Sequence, residues 1–165
     1  ICLAARVNRL SKGRLVFRFQ LSGALDSLKL SLPFSGARED GLWQHTCFEA
    51  FLRKAGCDQY LEYNFAPSRA WAAYSFQGYR SDMCDLAMKC FPEITVWHDP
   101  GLFSIEAEIT LPVGWHEAVL EINLAAVIEE CGGLKSYWAI THPPGKPDFH
   151  DKDCFALQLE ATVGS

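Results

Sequence analysis

The sequence predicts an all-β chain folded as an antiparallel β-sandwich, jelly-roll-like, with one or two short helical turns. Three observations predict it: short segments whose residues alternate with a period of two, turn residues between them, and few helical signals. Arg14 to Leu21 sets Leu15, Phe17 and Phe19 against Val16, Arg18 and Gln20, and ends in a turn at Ser22 and Gly23. Thr46 to Arg53 carries Phe48, Ala50 and Leu52 on one face and Cys47, Glu49 and Phe51 on the other, so neither face is plainly solvated. Tyr60 to Phe65 places Leu61, Tyr63 and Phe65 on one side and Tyr60, Glu62 and Asn64 on the other. Trp71 to Phe76 follows the Ala66-Pro67-Ser68 turn, and the two runs read as a hairpin.

Leu102 to Thr110 is the cleanest half-exposed strand, with Phe103, Ile105, Ala107 and Ile109 facing away from Ser104, Glu106, Glu108 and Thr110. Glu121 to Ile128, Ser136 to Ile140 and Cys154 to Leu159 complete the predicted strands. The loop His142-Pro143-Pro144-Gly145-Lys146-Pro147 separates the last two, because three prolines cannot sit in regular strand. Short helical turns are expected at Ser81 to Lys89 and Val127 to Glu130.

A length of 165 residues suits a single domain spanning 1–165 with a sizeable core. The apolar fraction of 49% argues against disorder, and a net charge of -5 supplies no basic stripe for nucleic acid. No run of about 20 apolar residues is present to span a membrane. No signal peptide is visible either, although the chain begins at Ile1 and an upstream segment can have been trimmed. Seven cysteines form no CxxC pair, and Cys47 and Cys154 lie in apolar runs. They read as buried thiols of a reducing cytoplasm; a periplasmic or secreted location, with Cys84 and Cys90 closing a small loop, is the alternative. Oligomeric state is not legible.

Familiar catalytic signatures are missing: there is no GxSxG elbow, phosphate-cradling glycine loop or HExxH. What stands out is a polar group among rings, made of Glu49, Glu62 and Asn64 on adjacent strands with Arg80 close behind. Buried carboxylates are costly unless paired, so Arg80 is expected to neutralise one of them with a bidentate bond. A structural ion pair and a set of ligand contacts explain these residues equally well. Two facing glutamates also suit glycoside hydrolysis. Trp43, Trp71, Trp97, Trp115 and Trp138 are candidate stacking platforms, Trp43 and Trp115 at expected loop positions, with core packing the alternative use for each. His45 beside Cys47 is a remote nucleophile candidate. His142 and His150, with Asp148, Asp151 and Asp153, are a candidate calcium or transition-metal group, or ordinary loop chemistry.

Three stretches carry a resemblance: residues 43–51 (WQHTCFEAF), 60–67 (YLEYNFAP), and Lys146-Pro147-Asp148-Phe149-His150 ahead of Cys154-Phe155-Ala156-Leu157. Their order resembles the DOMON-like superfamily, and is most similar to family 9 carbohydrate-binding modules and bacterial DOMON-like relatives. The likeness runs from about Leu42 to Leu159. It implies a non-catalytic sandwich that binds a small ligand, a sugar in some branches and haem in others. Sugar-binding members clamp the ligand between two tryptophans, which points here to Trp71 and Trp138. Haem-binding members use Met and His, for which Met83 and Met88 are on offer. The expectation is therefore a saccharide-binding, non-enzymatic domain with ligand contacts from Trp43, Glu49, Glu62, Asn64, Trp71, Arg80 and Trp138, and no obligatory cofactor. A haem- or metal-binding module and a hydrolase using paired glutamates are the alternatives.

Overall fold

The computed structural model describes residues 1–11 and 13–161, so Lys12 and positions 162–165 of the predicted domain lie outside the described residues. Two antiparallel sheets pack face to face. The first has the order β1 (Cys2–Ser11), β2 (Arg14–Ser22), β8 (Leu102–Thr110), β7 (Glu93–Asp99). The second has the order β10 (Lys135–Ala139), β9 (Leu120–Glu129), β3 (Cys47–Lys54), β4 (Tyr60–Phe65), β5 (Trp71–Phe76), β6 (Cys84–Asp85), with β11 (Leu157–Leu159) also paired to β9.

Alternation in β2 and β8 does what period two requires. Leu15, Phe17, Phe19 and Leu21 join Phe103, Ile105, Ala107 and Ile109 in the core, while the intervening residues face outward. The second sheet answers with Phe48, Ala50, Leu52, Leu61, Tyr63, Phe65, Ile122, Leu124 and Ala126. Phe48 stacks on Phe103 at 5.7 Å between ring centroids, and Phe19 lies 5.3 Å from Phe48, so rings from both sheets interlock. Chain reversal between β1 and β2 depends on Gly13, whose φ of 78° and contact with the His116 ring leave no room for a Cβ.

The second sheet is buried on its other face as well. Phe51, Tyr60, Ala72, Tyr74, Phe76, Ala125 and Val127 form a separate apolar cluster closed by Phe149 and Phe155. Those last two rings come from the irregular segment after the proline loop, which straps across the sheet. Continuous burial along β3, β4 and β9 follows from this third layer.

Eight predicted strands are present, with Tyr60–Phe65, Trp71–Phe76 and Leu102–Thr110 at the expected bounds. Strands β1 and β7 were not foreseen, because their residues alternate between half-buried and exposed. The helical turns lie elsewhere than expected. Ser81 to Lys89 contains the short strand β6 and Val127–Glu129 closes β9, whereas 3-10 turns form at Leu42–Gln44, Val113–Trp115 and Lys152–Cys154. The predicted strand at Cys154 shortens to β11, since Asp151 accepts the Asp153 N–H and caps the turn instead. All seven cysteines are free, Cys84 and Cys90 included, and only Cys47 and Cys154 are buried. Among the described residues no helix is long and apolar enough to cross a membrane.

Candidate functional site

Strands β3, β4 and β5 place their outward residues on one floor. Glu49 stands opposite Asn64, and Glu62 stands opposite Phe51 on one side and Tyr74 on the other. Glu49 and Glu62 are thus diagonal neighbours on one sheet face. Above them lies a pocket of about 370 Å³, lined by Trp43, Phe76, Met83, Tyr137, Phe149 and His150 besides Glu49, Glu62 and Arg80. Trp43 sits at the lip, 40% exposed, with its ring edge-on to Tyr74 at 6.0 Å.

Both glutamates are buried, at 3% and 4% exposure, and they are served unequally. Glu62 Oε1 accepts a 2.8 Å hydrogen bond from Asn64 Nδ2. Glu49 Oε1 has no hydrogen-bond partner among the described residues, and neither do Asn64 Oδ1 and Asn123 Oδ1 on the same floor. Desolvation pushes Glu62 up to about 7 against the pull of Asn64 and Arg80. Glu49 is pushed well above the usual carboxylate range, by burial first and by the charge of Glu62 second. Burial thus favours the protonated form of both carboxyls relative to a free glutamate. Glu129, on the same sheet face, shows the opposite arrangement. Lys29 Nζ and His45 Nδ1 each reach it at 2.7 Å, and they hold its carboxyl below the usual value.

Arg80 does not neutralise a glutamate, contrary to expectation. Its guanidinium bonds Asp148 Oδ1 at 2.8 Å, and Tyr79 donates to the other oxygen of the same carboxylate. Burial alone would raise Asp148, but these bonds and the His150 N–H hold it low. Arg80 and Asp82 both adopt left-handed backbone, at φ of 50° and 52°, a conformation that costs about 1–2 kcal/mol for an L-residue. The Arg80 N–H is held by the Tyr60 hydroxyl at 3.2 Å. The same hydroxyl hydrogen-bonds His150 Nδ1 at 2.7 Å, and His150 Nε2 lies 3.8 Å from Glu62 Oε2. Packed among Phe51, Tyr60 and Phe76, His150 is driven down to about 4 by desolvation and the Arg80 charge, so it is neutral.

Of the residues expected at the site, Trp43, Glu49, Glu62 and Arg80 line the pocket. Asn64 lies fully buried beneath it and positions Glu62. Trp71 and Trp138 do not reach it. Trp71 stands opposite Phe65 and faces the core between the sheets, and Trp138 packs against the same core, so neither clamps a ligand there. Trp115 is also core, under the Lys54 ammonium. Trp97 is exposed and lines a second groove of about 350 Å³ on the outward face of the first sheet, where Arg18 is already paired to Glu106. Sequence reasoning did not single out Phe76, Tyr137 or Phe149, and it named Met83 and His150 only as possible haem and metal ligands; Phe149 and His150 lie in the stretch that carried the resemblance.

The remaining candidates change character. Burial pushes the Cys47 thiol well up, the reverse of what a nucleophile needs, and His45 is engaged by Glu129. Among the described residues no three His, Cys, Asp or Glu side chains group to hold a metal ion. Asp148 is committed to Arg80 and Asp151 to its cap.

No family model matches the chain, and no curated protein sequence does. Among solved structures it is similar to a Bacteroides uniformis protein described as a "putative carbohydrate-binding protein", at 13% identity and a TM-score of 0.61. The superposition covers 92% of this chain and 75% of the other. At that identity the likeness is one of fold alone.

Proposed function

We propose that the chain is a non-catalytic saccharide-binding domain whose ligand occupies the pocket on the outward face of the second sheet. The observation that carries this reading is a concave, ring-walled space of about 370 Å³ in which Glu49, 3% exposed, keeps an oxygen without a partner. Pockets for small ligands pair an apolar lining with a few directional polar groups, and rings give a sugar a flat apolar contact. The fold shared with a protein described as carbohydrate-binding supports the reading, as does the resemblance to family 9 modules carried by the stretches around Glu49, Glu62 and His150.

Catalysis fits less well. Glu49 and Glu62 rise from one floor and attend the same side of a bound ring, whereas glycoside hydrolysis needs carboxyls that flank the scissile bond. Haem has one point in its favour, since Met83 and His150 both line the pocket. The residues do not fit it, because Tyr60 engages His150 Nδ1, Nε2 faces Glu62, and an acidic floor repels the propionates of a haem. Calorimetric titration with neutral and basic mono- and disaccharides tests the proposal. Binding that falls at least about tenfold in Trp43→Ala supports it. No binding of any saccharide, or a Soret band on adding haemin, overturns it.

A further inference from the structure

The pocket holds more carboxyls than its own cations can pair. Three carboxyls, Glu49, Glu62 and Asp148, stand against one guanidinium, Arg80, whose charge is taken up by Asp148 at 2.8 Å. His150 is kept neutral by burial and by the Arg80 charge, which bring it down to about 4. The other titratable side chains around the two glutamates, Cys47, Tyr60 and Tyr74, are all kept protonated by burial and bring no positive charge. The unpartnered buried atoms of this floor are of one kind. Asn64 Oδ1 and Asn123 Oδ1 are acceptors, as is Glu49 Oε1 once its carboxyl ionises, and no amide or amine donor is left over. The floor therefore lacks protons to accept and positive charge, and the walls of Trp43, Phe76, Tyr137 and Phe149 are ring surfaces that favour a cation over a neutral group.

A neutral sugar hydroxyl offers one donor and is itself an acceptor. An ammonium offers three donors, no acceptor and a full charge, which match what the floor lacks. We infer that the pocket takes a basic saccharide, an amino sugar whose free ammonium sits on the Glu49 and Glu62 carboxyls, in preference to neutral or N-acylated sugars. This deepens the saccharide reading and rests on it for the ring, but not for the charge. Because burial favours the protonated form of both glutamates, ion pairing with an arriving ammonium displaces a proton: ligand-NH3+ plus the protonated pair gives the ion-paired complex plus a released proton.

The experiment is isothermal titration of the intact chain at about pH 6, where the amine is charged, with glucosamine, N-acetylglucosamine, glucose and ethanolamine, repeated in buffers of different ionisation enthalpy. Glucosamine is expected to bind at least about tenfold tighter than glucose and N-acetylglucosamine, with proton release. In Glu62→Gln and Glu49→Gln, of the same size and each checked for its folded circular dichroism, the affinity for glucosamine falls at least about tenfold. Equal affinity for the three sugars overturns the inference and leaves the saccharide reading standing. Binding of ethanolamine but of no sugar keeps the ammonium site and removes the saccharide. A glucosamine preference without proton release, or one unchanged in both variants, places the amine off the glutamates and overturns the inference. Absence of all binding overturns both.

Discussion

On the outward face of the first sheet, Arg18 stands opposite Glu106, and Gln20 stands opposite Ser104, with water beyond. At equivalent depth on the outward face of the second sheet stand Phe51, Glu49, Glu62 and Asn64, all buried. The strands are built alike, and the difference lies in what covers them. The first sheet ends its structure at its own side chains. The second carries the strap of residues 140–156, which closes one apolar layer through Phe149 and Phe155 and leaves a pocket where it does not close. The same kind of side chain then behaves in opposite ways. Glu106 and Glu108 are about a quarter exposed and paired with arginines, whereas desolvation pushes Glu49 well above the usual carboxylate range and Glu62 up to about 7.

The largest expected effect breaks the comparison at its apolar end. Phe51 is fully buried on the outward face of β3, with His150 5.0 Å and Phe149 6.5 Å from its ring. Phe51→Ala is expected to cost about 3–5 kcal/mol in urea unfolding, a core-sized loss. Val16→Ala, on the outward face of β2, costs under about 1 kcal/mol. Similar losses at both positions would mean that the strap adds no real layer.

Electrostatics sharpen the comparison next. Glu62 titrates at about 7 in the folded chain against 4.5 unfolded, so the folded state binds the extra proton between those values, and stability falls as pH rises through the window. His150 titrates at about 4 folded against 6.5 unfolded, so the unfolded state binds the extra proton, and stability rises with pH across its window. The windows overlap and the slopes oppose, with Glu49, also raised by burial, adding to the falling side. Glu62→Gln therefore tilts the stability profile upward between about pH 4 and 6.5, and His150→Gln tilts it downward between about pH 4.5 and 7. Each change amounts to about 2–3 kcal/mol over the window. Parallel profiles for the two variants would refute the assignment. Asp148 is held low, so its contribution is gained at still lower pH and does not enter this window.

A smaller effect concerns the strap itself. Asn123 Nδ2 donates to the Phe149 carbonyl at 3.0 Å and fixes the segment to β9. Asn123→Ala leaves that carbonyl unpaired and is expected to cost about 1–3 kcal/mol. Hydrogen exchange should localise the loosening to residues 140–156; uniform loosening would contradict a separate layer.

The strands were legible because alternation is a local signal. For β3 the sequence also showed that neither face was solvated, and that is where the third layer lies. The layer itself was not legible, since Phe149 and Phe155 sit in an irregular segment with no period to read. Parity held more than was drawn from it. Trp71 pairs with Phe65, which shares a face with Leu61 and Tyr63, so its place in the core follows from register once the hairpin is known. Arg80 was paired with the wrong carboxyl for a different reason. Asp148 lies 68 positions away and reaches it only through the path of the strap, which no local spacing records.

The smallest expected effect lies on the solvated face. Arg18 and Glu106 face each other directly across β2 and β8, joined through both Nε and Nη2, with side chains about half and a quarter exposed. Water competes for both groups and the ordering of two long side chains offsets the attraction, so a double-mutant cycle with Arg18→Ala and Glu106→Ala should give a coupling of about 0.2–1 kcal/mol. The coupling should shrink toward zero in about 1 M salt, where screening acts within about 3 Å. The tilt from Glu62→Gln should survive the same salt, because it originates in desolvation under the strap rather than in exposed charge. A coupling above about 2 kcal/mol that resists salt would mean that the first sheet's outward face is covered too, and the contrast between the two sheets would be lost.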